Sequence, residues 1–174
     1  MKSFCAHLAN LGVRIILPDL HMGDPMREGF NQDKLSKWLE NHDIVDMTRI
    51  IRAIGKKVRN ENENRTSVAG VGFCWGAWVL ARAIKSGLKL DGFCAVHPSL
   101  RLEELGGGNL SHLAVYLINI PLIMITAGND PDNLKPGGSL YNLLVDHYKK
   151  TDLNPQNAAT IKDVSRYLVF KEYS

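Results

Sequence analysis

The sequence predicts an α/β fold with a mostly parallel sheet, and three observations carry that prediction. Short apolar runs with strand character alternate with segments of helical spacing along the chain. Residues 13–17 (Val-Arg-Ile-Ile-Leu) are branched and apolar enough for a buried strand, closed by Pro18-Asp19. Residues 67–71 form a strand-like run that enters a glycine-flanked turn and passes directly into an Ala-rich apolar helix over 77–85.

The remaining elements follow in order. Residues 2–10 read as the end of a helix, with Gly12 as its stop. A polar loop with Gly23, Pro25 and Gly29 precedes a short helix over 35–39. Ile44, Met47, Ile50, Ile51, Ile54 and Val58 recur at helical spacing and mark a long amphipathic helix. Residues 60–65 are a polar turn, and Gly92–Val96 a further strand. Gly106-Gly107-Gly108 reads as a flexible loop, and residues 122–126, entered from Pro121, as another strand. A helix over 139–150 and a last strand over 167–170 complete the chain, which has no repeats and no linker. Residues 1–174 read as a single domain.

Composition excludes several classes. With 174 residues the chain is long enough for one core. Its formal charge of +3 is too small and too dispersed to argue for nucleic acid. Lys56, Lys57 and Arg59 cluster at a helix end, where cations complement the helix dipole. No apolar run approaches the roughly 20 residues that span a bilayer, so no membrane partner is expected. The opening Met1-Lys2-Ser3-Phe4-Cys5-Ala6-His7 is not followed by the sustained apolar stretch of a signal peptide. Cys5, Cys74 and Cys94 show no pairing pattern and suit a reducing compartment, hence the cytoplasm.

The turn Gly70-Val71-Gly72-Phe73-Cys74-Trp75-Gly76 carries the chemistry. A glycine two before and two after a reactive residue, at a strand-to-helix turn, is the pattern of a nucleophile elbow. Such a turn strains the backbone at the nucleophile and excludes bulky neighbours. Most lone cysteines are packed as small hydrophobes, but this spacing argues otherwise. A dinucleotide loop would need glycine where Trp75 stands and an acidic residue at the end of the next strand, whereas Asp91 stands at its beginning. A metal site would need paired cysteine spacing, which the three singletons lack. The elbow narrows the fold to the α/β-hydrolase group, with cysteine in place of the usual serine.

Four segments together resemble the dienelactone hydrolase family, the carboxymethylenebutenolidase-like branch of the α/β-hydrolases. They are Gly12 through Pro18-Asp19-Leu20 with Gly23-Asp24-Pro25, Gly72-Phe73-Cys74-Trp75-Gly76, Ala95-Val96-His97-Pro98-Ser99, and Thr126-Ala127-Gly128-Asn129-Asp130-Pro131. The resemblance implies hydrolysis of a small ester or lactone through a thioester on Cys74, without a cofactor or metal. It implies Asp130 as the carboxylate that orients a histidine, with Asp132 as the runner-up. The backbone N–H of Trp75, next after the nucleophile, is one expected oxyanion donor. His21 and His97, at strand ends, are candidate pocket residues.

The family's histidine lies beyond its last long strand, and residues 1–174 hold none there. His147 reads as a solvent-facing helix residue. The resemblance also implies about three strands ahead of residue 1, so the chain reads as a partial domain lacking the N-terminal strands and the C-terminal His segment. In the family one of those strands lies between residues 13–17 and the elbow strand. Two buried strands facing a gap would leave backbone groups unpaired, each costing on the order of 1–3 kcal/mol. Two other readings stay open. One is a catalytically silent domain that binds small molecules or partners. The other is a redox thiol, for which Cys94 is the one candidate resolving partner.

Overall fold

A computed structural model describes residues 2–25, 32–61, 67–150 and 168–173. The chain divides into two compact units, residues 1–43 and 44–174. The second unit is an α/β layer. Its elements are α3 (Ile44–Glu61), β1 (Ala69–Phe73), α4 (Trp75–Lys85), β2 (Gly92–Val96), α5 (Leu102–Leu105), α6 (Leu110–Leu117), β3 (Leu122–Ala127), a 3₁₀ turn (Asp132–Leu134), α7 (Ser139–Lys150) and β4 (Leu168–Tyr173). The four strands are parallel and lie in chain order β1-β2-β3-β4. Parallel neighbours need a crossover between them, which the intervening helices supply.

The strand faces explain the packing. On β1 the buried positions are Gly70 and Gly72. A Cβ on Gly70 would come within 2.8 Å of Leu90, and one on Gly72 would strike the backbone of α4. The absence of side chains there lets α4 lie directly on the strand. Phe93 and Ala95 continue this buried face on β2, and Leu122, Met124 and Thr126 on β3. Helix α4 packs against β1, α3 and α6, burying Ala77, Trp78, Val79, Ala81, Ala83 and Ile84. In α6, Leu110, Leu113, Ala114 and Leu117 form a buried stripe at helical spacing. Each such leucine contributes roughly 1.5–3 kcal/mol of transfer free energy.

Helix α3 realises the predicted amphipathic pattern with two changes. Its buried stripe is Met47, Thr48, Ile51, Gly55 and Val58, whereas Ile50 is exposed. Gly55 is the contact point, since a Cβ there would sit 2.7 Å from Leu88. At the helix end Arg59 bonds the Asp91 carboxylate at 2.8 Å and the Lys89 carbonyl at 3.2 Å. Asp91 also accepts from the Val68 backbone N–H at 2.7 Å. That bond, opposed by partial burial and reinforced by Arg59, holds its carboxyl below the usual aspartate range. Arg59 therefore ties α3 to the entry of β1 and β2, beyond any interaction with the helix dipole.

The first unit contains α1 (Lys2–Asn10) and α2 (Gln32–Asn41). Gly12, at φ +82°, ends α1 as expected: its N–H reaches the Ala9 carbonyl and that of Val13 reaches Leu8. The predicted strand at 13–17 is a correction. These residues have no regular structure, and Val13, Ile16 and Leu17 are 50%, 43% and 55% exposed. A strand exists by its ladder, and among the described residues the ladder runs β1-β2-β3-β4 and does not include this segment. Asp19 shapes the loop that follows by accepting from the N–H groups of His21 and Gly23, both at 3.1 Å. The His42 ring stacks on Trp38 at 3.9 Å, and Trp38 donates to the Asp24 carbonyl at 2.9 Å. Among the described residues no helix is long and apolar enough to cross a membrane.

Candidate active site

The carboxyl ends of β1, β2 and β3 bring three polar residues to one edge of the sheet. Cys74 follows β1 and precedes α4, with φ +51° and ψ −119°. That conformation is uncommon for a residue with a side chain and costs of order 1–3 kcal/mol. The surrounding bonds hold it in place. Its N–H donates to the Val96 carbonyl at 2.9 Å, and its carbonyl accepts from Ala77 and Ser99 at 3.1 and 3.2 Å. The thiol is exposed, and its Sγ lies 3.2 Å from Ser99 Oγ.

The two elbow glycines are not equivalent. A Cβ on Gly72 would meet Ala77 Cα at 2.5 Å, Ala77 N at 2.7 Å and Gly76 O at 2.8 Å, all of them backbone atoms. A Cβ on Gly76 would meet nothing within 4 Å, so the expectation that both flanks exclude a side chain holds only before the cysteine. Gly72→Ala should therefore lower stability by about 2–3 kcal/mol through overpacking. Gly76→Ala should be neutral or slightly stabilising. Urea melts of the two variants check this; equal effects would refute the asymmetry.

His97 follows β2 with φ +48°, its N–H donating to the Ile125 carbonyl of β3 at 2.7 Å. Its Nδ1 lies 3.1 Å from Asp130 Oδ1, at ion-pair distance but off the line of a hydrogen bond. Asp130 is buried, and its second oxygen accepts from the Ala127 N–H at 2.8 Å, which fixes the carboxylate plane. Asp132 stands apart from this group. Its side chain is 98% exposed and pairs with Lys135 at 3.1 Å.

The other candidates have distinct settings. Trp75 is the first residue of α4, so its N–H stands at the helix start beside Cys74. His21 belongs to the first unit, where its ring meets Trp38 edge-on at 5.5 Å. His147 is half-buried on α7. Cys94 lies within β2, in register with Val71 and Ile123, and burial pushes its thiol up. Two contacts escaped sequence reasoning, Ser99 against Cys74 and His97 against Asp130. The signal available was the His97-Pro98-Ser99 tripeptide closing the strand next to the elbow.

A parallel sheet with crossover helices and a strained strand-to-helix elbow at its carboxyl edge defines an α/β-hydrolase fold. The chain belongs to the dienelactone hydrolase family, whose model matches residues 1–138. It is a hydrolase of that type, with a small molecule as substrate. Comparison with curated proteins and with solved structures gave no match.

Proposed function

We propose that this hydrolase cleaves small esters or lactones, carboxymethylenebutenolidase-like, by covalent catalysis at Cys74. The observation that carries the reading is the exposed Cys74 thiol on an elbow strained to φ +51°. The thiolate attacks the substrate carbonyl carbon and the ester C–O bond breaks. Water then hydrolyses the resulting thioester and releases the carboxylic acid. The Trp75 N–H is the oxyanion donor of this reading. Asp130 is the acid, favoured over Asp132 by its burial and its approach to His97. A cytoplasmic setting is in keeping with free thiols at Cys5, Cys74 and Cys94.

The test is acyl-enzyme trapping. The protein is mixed with p-nitrophenyl acetate, quenched in acid and digested, and the peptide carrying Cys74 is weighed. One added acetyl group on that peptide, with a burst of p-nitrophenol, supports the proposal. Acylation confined to lysines or other cysteines would remove it and favour the catalytically silent binding domain.

A further inference from the structure

We infer that Ser99 prepares the nucleophile of this site: its hydroxyl donates to Cys74 Sγ, which favours the thiolate and fixes where the sulfur points. This rests on the hydrolase reading above and adds to it the group that activates the thiol. The turn after β2 grips Cys74 at three points. The Cys74 N–H donates to the Val96 carbonyl at 2.9 Å, the Cys74 carbonyl accepts from the Ser99 N–H at 3.2 Å, and Sγ meets Ser99 Oγ at 3.2 Å.

Ser99 is itself fixed. Pro98 and Leu100 on either side of it are fully buried, and its carbonyl accepts from the Leu102 N–H at 3.1 Å. With the main chain held, only rotation about its Cα–Cβ bond can take the hydroxyl off the sulfur. Cys74 stands at the N-cap position of α4, where a side-chain acceptor ordinarily turns back to the N–H groups of the first turn. Its sulfur makes no such bond. The sulfur faces Ser99 instead, from a residue whose φ of +51° the same turn maintains.

The chemistry of the two partners decides what the contact does. A thiol is a weak donor and its sulfur a weak acceptor, so between neutral groups the bond contributes little. An ionised sulfur can only accept, the hydroxyl is then the donor, and charge-assisted bonds are roughly twice as strong as neutral ones. The bond therefore favours the thiolate over the thiol. It weakens when the sulfur becomes a thioester and returns with the free thiolate, while the Ser99 proton stays on oxygen throughout. The effect on reactivity has two signs. More sulfur is ionised at neutral pH, but each thiolate is less nucleophilic, with a Brønsted slope of about 0.4–0.5. Among the described residues the titratable groups at this sheet edge are His97 and Asp130, at ion-pair distance from each other. On α4 the first turn carries no acidic residue, and Arg82 and Lys85 lie in the last turn, against Glu103. Arg101, beyond Leu100, is exposed. All of these are shared by the wild type and a Ser99 variant, so comparing the two isolates the hydroxyl.

The test is thiol–disulfide exchange with dithiodipyridine from pH 6 to 10 in the wild type, Ser99→Ala and Ser99→Thr, with circular dichroism to verify folding. Samples are quenched in acid and digested with pepsin, and the adduct on the Cys74 peptide is weighed. Loss of the bond should leave about tenfold less thiolate at pH 7, of which higher nucleophilicity restores about threefold, so Ser99→Ala should react about threefold more slowly. At pH 10, where a thiol ionises unaided, the order should reverse and Ser99→Ala should react about threefold faster. Ser99→Thr, which keeps the hydroxyl, should follow the wild type. A merely structural role would lower the rate at both ends. An unchanged Ser99→Ala profile, a loss uniform across pH, or Ser99→Thr behaving as Ser99→Ala overturns the role of Ser99, and acetyl trapping on wild-type Cys74 then leaves the hydrolase reading standing. Wild-type Cys74 that takes no acetyl group overturns both.

Discussion

Cys74→Ala is expected to lower ester turnover by roughly a thousandfold or more, because the covalent route proposed above closes when that thiol is removed. The residual rate would come from binding and oxyanion stabilisation alone, as in hydrolases stripped of their nucleophile. Stability should hardly change. The thiol is exposed and its side chain meets Ser99 at 3.2 Å, so the truncation opens no core cavity. The alanine variant also fits the strained position no worse than cysteine does, since both carry a single Cβ. The measurement is p-nitrophenyl acetate turnover at saturating substrate, paired with a urea melt. Loss of turnover with an unchanged melt isolates the chemistry. Undiminished turnover in a folded variant removes Cys74 from the reaction.

Local patterns made much of the second unit legible. The elbow was readable because its glycines, strand and helix lie within a few residues of one another. Gly72 makes the point, since the atoms its missing Cβ would strike belong to Gly76 and Ala77. Helix α3 was readable from its periodicity, although Gly55 as the contact with Leu88 was not, because glycine carries no hydropathy signal. Helix α6 went unread. Val115, Tyr116 and Ile118 surround its buried stripe with further apolar residues and blur the amphipathic period. The strand expected at 13–17 failed for the opposite reason, since branched apolar residues favour a strand only where a neighbour completes the ladder. The approach of His97 to Asp130 depends on β2 and β3 being adjacent. No spacing in the sequence encodes that pairing.

Glu103→Ala is the substitution expected to cost the fold most. The Glu103 side chain is fully buried, yet it carries a carboxylate satisfied from several directions. Trp78 Nε1 donates at 3.1 Å, Arg82 Nη1 at 3.0 and 3.1 Å, and Lys85 Nζ at 3.2 Å. Burial alone would push this carboxyl up. The bonds from Trp78 and Lys85, with the charge and bonds of Arg82, more than offset that, and Glu103 lies below the ordinary glutamate range. Alanine would strand the buried indole N–H and leave two cations converging on nothing. Breaking such a cluster costs about 3–5 kcal/mol, a large part of the 5–15 kcal/mol typical of a domain. At roughly 2–4 °C per kcal/mol for a chain of this size, the midpoint should fall by about 10 °C. Nor is the glycine loop behind it merely flexible: a Cβ on Gly108 would sit 2.6 Å from Glu103 Oε1. The pH dependence has a definite sign. A carboxyl lowered by folding stabilises above its unfolded value, about 4.3, and that contribution fades as pH falls through the folded value. Thermal melts should therefore show the wild type and Glu103→Gln converging as pH drops below about 4 and separating above it. Since α5 begins three residues after Ser99, the cluster also anchors the turn that carries His97 and Ser99. Glu103→Gln should accordingly lower turnover well below its own melting temperature, whereas a variant that melts early but turns over normally would confine Glu103 to stability.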